Sequence, residues 1–225
     1  MKTSSPTCSF LLAALLAGMA LPAAGATNNS SPWAKAAEAW NESVTLEKNA
    51  DYTGALAKMA EFAQAGGDPY LVEVRSGWLS YTNKDYKSAA KHYEAAAQAN
   101  INAVTPLLGM ANAYRALNDN AHAEKAAEAV LMRDPANYTA LLLVAATALD
   151  KHDHRKSSQY YEAVLKMYPE DTAALSGEAW SLLYLTRKRE AATAFARLLT
   201  LSPSYPYAQQ GYEAATKTVI TSARY

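Results

Sequence analysis

The sequence predicts an all-α chain in which pairs of antiparallel helices follow one another every 34 residues. Composition is the first reason. Among 225 residues alanine occurs 49 times, while Val and Ile together occur ten times. Alanine is the best helix former, and pleated sheets need β-branched residues on their faces. The second reason is the even spacing of Pro135, Pro169 and Pro203, each closing an amphipathic stretch: AHAEKAAEAVLMRDP, RKSSQYYEAVLKMYP and REAATAFARLLTLSP. The third is two columns of small residues at the same interval. One is Ala55, Ala89, Ala123, Ser157 and Ala191; the other is Ser43, Gly77, Ala111, Ala145 and Ala179.

Taken in order, residues 1–26 read as an address. Lys2 and the amino terminus are positive, Phe10–Leu21 is an apolar run, Pro22 breaks it, and Ala24-Gly25-Ala26 supplies small residues for cleavage. This is the layout of a secretory signal peptide cut after Ala26. The run is too short for a comfortable bilayer span. The only cysteine, Cys8, precedes the run, where a lipoprotein cysteine would follow it. The chain from Thr27 onward then has no thiol for a disulfide, a nucleophile or a metal. No later segment is long and apolar enough to span a bilayer. The expectation is a periplasmic or secreted protein, and the plain Ala-rich signal points to a bacterial periplasm.

Residues 27–35 are expected to form a short spacer. Five 34-residue units follow over 36–205, divided as 36–69, 70–103, 104–137, 138–171 and 172–205. Within each, a small residue on either helix lets the two backbones approach. Bulky residues beside them fill the space. Met59, Tyr93, Tyr161 and Phe195 form one bulky column, with Ala127 the exception; Phe62, Val130, Val164 and Leu198 form another, with Ala96 the exception. Short turns such as LNDN, KHDH and LTRK part the two helices. Proline then stops the second helix, because it lacks an amide donor and clashes with the preceding turn. Residues 206–225 read as a solvating end helix and tail, since an array leaves its last apolar face bare without one.

A 34-residue helix-turn-helix unit with small residues at its eighth and twentieth places, an aromatic near the twenty-fourth and Pro at the thirty-second resembles the tetratricopeptide repeat. The last three units match best. The first two depart from the pattern: Gly67 and Ile101 stand where the family has Pro, and Glu73 where it is usually apolar. Asp51-Tyr52 and Asp85-Tyr86 nevertheless open their second helices as in the family. The resemblance implies a right-handed superhelical solenoid whose first helices line a concave groove. It implies a non-catalytic binding role with no cofactor. In the family the second, fifth, ninth, twelfth and thirteenth places of a unit face the groove. Carried over, these give Trp40, Val44, Glu47 and Lys48; then Leu71, Val74, Trp78, Tyr81 and Thr82. The middle units give Leu108, Asn112 and Arg115, then Leu142, Ala146, Leu149 and Asp150. The fifth gives Ser176, Trp180, Leu183 and Tyr184.

Such a groove is apolar and carries three of the four tryptophans. One expectation is that it holds a partner protein or peptide by aromatic anchors. The other is that the tryptophans pack between adjacent first helices as core. Two further readings stand beside these. One is a self-assembling structural subunit of an envelope or exopolysaccharide-secretion complex, touching through Trp33–Trp40 or Tyr205–Tyr207. The other is a carbohydrate binder that stacks sugars on the aromatics.

Other functions find little support. The 21 Lys and Arg balance 21 Asp and Glu, and a nucleic-acid binder normally carries a basic excess. There is no HExxH, no GxSxG and no Gly-rich phosphate loop, so no enzyme is expected. His152 and His154 flank Asp153 in a turn, but a structural zinc site needs four ligands, and a solvated polar turn is the better reading. The family's basic clamp for C-terminal carboxylates is poorly matched, Asn112 and Arg115 being the only suggestive groups.

Overall fold

The computed structural model describes residues 31–222 and the side chains of residues 31–217, and eleven helices with the turns between them make up these described residues. Five pairs correspond to the five units: α1 (Pro32–Lys48) with α2 (Tyr52–Gln64), α3 (Pro69–Thr82) with α4 (Tyr86–Ala99), α5 (Thr105–Ala116) with α6 (Asn120–Leu131), α7 (Tyr138–Asp150) with α8 (His154–Met167), and α9 (Thr172–Tyr184) with α10 (Lys188–Leu201). The end helix is α11 (Ala208–Ser222). No strand occurs among the described residues. The expected signal peptide lies outside them. The spacer expected over 27–35 is shorter than the sequence implied: α1 already begins at Pro32, because proline is pre-organised for the first helical position.

Each first helix ends in the same way. Ala50, Lys84, Asn118, His152 and Thr186 all adopt left-handed φ values between 59° and 64°. The amide of the residue after each reaches back to close the helix, as in Asp51 N to Leu46 O and Asp85 N to Ser80 O, both 2.9 Å. This is the two-bond C-cap that satisfies orphan carbonyls, here built without glycine. In four units the following aspartate then caps the second helix: Asp51, Asp85, Asp119 and Asp153 accept from the amides of Gly54, Ser88, His122 and Lys156. One three-residue turn thereby ends one helix and starts the next. In the fifth unit Arg187 takes the cap position and supplies no side-chain acceptor.

All ten residues of the two small columns are buried. The bulky column at the twenty-fourth place keys one unit into the next. Tyr93, Tyr161 and Phe195 lie against Gly109, Gly177 and Gly211, and a β-carbon on any of these glycines would overlap the ring. Where the third unit has Ala127, the fourth unit has Leu143 at the glycine's place, and the two share one apolar cluster. At the first junction Met59 is followed by Arg75 at that place. Ring with glycine and alanine with leucine each fill the same space, as close packing demands. From α3 onward each first helix also touches the next first helix, whereas the second helices do not approach one another in this way. The first helices therefore line the inside of the curve. No helix among the described residues is long and apolar enough to cross a membrane.

Candidate functional site on the concave face

The inner face is richest on α3. This helix starts at Pro69, with Asp68 accepting from the amide of Tyr70 at 2.8 Å. Its stripe Leu71, Val74, Trp78 and Tyr81 follows helical spacing. Leu71 and Trp78 are both 39% exposed, and Val74 and Tyr81 are half-buried. Trp78 does not hang free. Its indole Nε1 donates to Glu47 Oε1 at 2.6 Å, across to α1. The other oxygen of Glu47 accepts from Arg75 Nη2 at 2.8 Å. Arg75 also donates from Nε to Ser43 Oγ at 3.1 Å, and its guanidinium sits 5.1 Å from the centre of the Trp40 ring. Arg75 is only 4% exposed. A charge so deeply buried must be paired and hydrogen-bonded, and these contacts achieve that.

The other aromatics divide between core and surface. Trp40 is half-buried and tilted against Phe62, ring centres 5.4 Å apart. Trp180 is half-buried, with its ring edge-on to Phe195 at 5.2 Å. Tyr81 leans on Tyr86 at 5.3 Å, and burial pushes its hydroxyl pKa up while the nearby Arg115 pulls it down. Tyr184 is 57% exposed and stacks on His154 at 4.6 Å. Leu108 and Leu142 pack against the cores of their units, Asn112 is half-buried and Arg115 is exposed. Of the expected groove residues, Lys48, Leu71, Trp78, Arg115, Asp150 and Tyr184 are thus open to solvent. Trp40, Val74, Tyr81, Leu108, Asn112, Leu142 and Trp180 serve partly as packing.

Sequence reasoning missed Arg75. The signal was present: it stands at the sixth place of its unit, where later units have glycine or leucine. Glu73, the other departure from the apolar pattern, meets His92 Nδ1 at 2.7 Å. In the His152 turn, Asp153 is occupied in capping α8 and His154 is stacked on Tyr184. No group of three or more metal-ligating side chains gathers among the described residues. One carboxylate stands out elsewhere. Glu178 lies between α8 and α9, and burial raises its pKa despite a 3.0 Å hydrogen bond from Ser158 Oγ.

Family models of the tetratricopeptide repeat match residues 106–137 and 145–206. These spans fall in the third, fourth and fifth units. No curated protein matches the chain significantly. Among solved structures, a tetratricopeptide repeat protein from Parabacteroides merdae superposes with a TM-score of 0.72 at 17% identity, over 84% of this chain and 75% of its own. MamA superposes with a TM-score of 0.69 at 12% identity, over 75% of this chain and 92% of its own. YrrB, described as a tetratricopeptide repeat protein with an unusual peptide-binding site, gives 0.69 at 13% identity, over 79% and 92%. At these identities the likeness is one of fold. Sequence models and fold agree with the 34-residue phase and its helix pairs, and the chain is a tetratricopeptide repeat protein.

Proposed function

We propose that the protein is a non-catalytic scaffold of the bacterial envelope that holds a partner protein or peptide on its concave face. The observation that carries this is Trp78. It is a large aromatic ring on the inner face, 39% exposed and held in orientation by its hydrogen bond to Glu47. Rigid aromatics of this kind anchor partners with little loss of side-chain freedom. Leu71 on the same stripe extends the apolar surface. The envelope location rests on the signal-like residues 1–26. Amino-terminal sequencing of the secreted chain tests it, and a start at Thr27 is the expected result.

Photo-crosslinking in cells from position 81 tests the binding role. A discrete adduct that disappears in a Trp78→Ala background is expected. Adducts indifferent to Trp78 would remove the groove from the account. Binding to a glycan panel separates a sugar-stacking role from a peptide one. Trp33, 66% exposed on α1, favours one second reading, self-association through that end. Sedimentation of the mature chain decides it: a monomer throughout the micromolar range excludes this contact.

A further inference from the structure

Outside the concave groove, the edge of the array between the fourth and fifth units carries two tyrosines that no core buries. Tyr138 opens α7 and Tyr168 follows the end of α8, at the first and thirty-first places of the fourth unit. Only this unit of the five has an aromatic residue at both places. Tyr138 is 36% exposed and Tyr168 47%, and neither enters the apolar clusters of the unit. Their ring planes meet at 83° with centres 5.2 Å apart, so the rings form two walls of a corner. Glu170 and Asp171 complete a recess of about 410 Å³.

The corner is held in shape. The Tyr138 hydroxyl donates to Asp171 Oδ2 at 2.6 Å, and Asp171 Oδ1 accepts from the amide of Ala174 at 2.7 Å. Burial, and after it the bond to Asp171, pushes the Tyr138 pKa up to about 12, so the phenol keeps its proton and its orientation at ordinary pH. The Asp171 amide closes the turn on Tyr168 O at 3.1 Å, and Arg197 Nη2 braces it on Pro169 O at 2.6 Å. Arg197 itself does not line the recess. Asp171 is engaged at the start of α9, which leaves exposed Glu170 as the carboxylate open to a ligand. Ring faces carry negative charge density and attract cations. The lining is therefore suited to a positive, partly apolar group.

We propose that this recess binds an arginine side chain of a partner protein, its guanidinium stacked on one tyrosine ring, flanked by the other and forked onto Glu170. The site makes no use of Trp78. Arginine fits better than lysine because a planar guanidinium stacks on a ring while its N–H groups reach a carboxylate, whereas an ammonium is a compact and more strongly hydrated point charge. Because the walls are held in place before binding, little ordering cost falls on them when the ligand arrives.

The test uses the mature chain with isotope-labelled tyrosine rings, titrated by NMR with N-acetyl-arginine amide. The Tyr138 and Tyr168 signals, assigned from Tyr138→Phe and Tyr168→Phe, should shift saturably while the other tyrosines stay put, and binding should weaken as salt rises. The lysine derivative should bind more weakly, and the citrulline derivative, which keeps the shape and loses the charge, should not bind. Glu170→Gln should weaken binding about three-fold, as loss of an exposed ion pair does. Tyr168→Leu, which keeps bulk and loses the π face, should weaken it about three-fold as well. Trp78→Ala should leave it unchanged. Citrulline binding as well as arginine, choline or maltose shifting the same rings more strongly than arginine, no saturable shift at all, or affinities indifferent to both Glu170→Gln and Tyr168→Leu would each overturn the proposal.

Discussion

The junction between the first and second units and the junction between the fourth and fifth solve one geometric problem with opposite chemistry. At the later junction the ring of Tyr161 of one unit lies against Gly177 of the next, and the stabilisation is burial of an aromatic ring. At the earlier one the glycine's place holds Arg75, tied to Ser43, Glu47 and the Trp40 face. A ring in a glycine socket tolerates some rotation and depends on volume. A buried ion pair carries a desolvation cost comparable to its attraction, and an apolar pair of similar size is often as stable or more so. What the ion pair adds is direction. It fixes where Glu47 sits, and Glu47 fixes Trp78. The ring-and-glycine junctions hold the solenoid together, and the polar junction is the one coupled to the exposed groove aromatic.

This contrast can be broken at several points. Removing the ring where it is fully buried, Phe195→Ala, should cost about 3–5 kcal/mol, read from chemical denaturation followed by far-UV circular dichroism. Arg75→Ala should cost about 3 kcal/mol, because it strands Glu47, yet Arg75→Met with Glu47→Gln should come within about 1 kcal/mol of wild type. If the double substitution proves as damaging as the single one, the first junction is an ordinary structural contact. Filling the socket with Gly177→Ala should cost about 1–3 kcal/mol by overpacking against Tyr161. At the third junction Ala127→Phe should be damaging alone and substantially rescued by Leu143→Gly, a coupling measured by a double-mutant cycle.

Smaller effects sharpen the picture. Thr186 is β-branched and sits at φ 60°, so Thr186→Gly should stabilise the fifth unit by about 1 kcal/mol, seen as a higher melting temperature. Glu178 has a raised pKa from burial. The folded state therefore holds its proton where the unfolded chain has lost it, and stability should decline as pH rises from the ordinary glutamate range through the raised value. Glu178→Gln should flatten that slope in melting curves recorded across pH.

The parts of this architecture that repeat were the parts legible in the sequence. The proline spacing and the two small columns located all five helix pairs, because close backbone approach demands the same residue size at the same place each time. The left-handed turn residues were invisible for the complementary reason: Ala50, Lys84, Asn118, His152 and Thr186 share a backbone state but no side-chain chemistry. The groove was legible only by place. Whether a tryptophan at such a place is open depends on what stands behind it, Phe62 behind Trp40 and Phe195 behind Trp180, and this is a long-range property. Arg75 was overlooked because arginine on a helix usually reads as surface, and its burial depends on Ser43 and Glu47, about thirty residues earlier in the chain.

The keyed junctions also make the units non-interchangeable, with consequences for how such an array can shorten or lengthen. Deleting 104–137 would bring Tyr93 up against Leu143, a collision. Deleting 138–171 would set Ala127 over Gly177 and leave a void. Deleting 172–205 would bring Tyr161 onto Gly211, and deleting 104–171 would bring Tyr93 onto Gly177, ring on glycine in both cases. Loss or duplication of a unit is therefore tolerated at some boundaries and barred at others by one pair of side-chain volumes. The third and fourth units behave in this respect as a matched couple, to be gained or lost together.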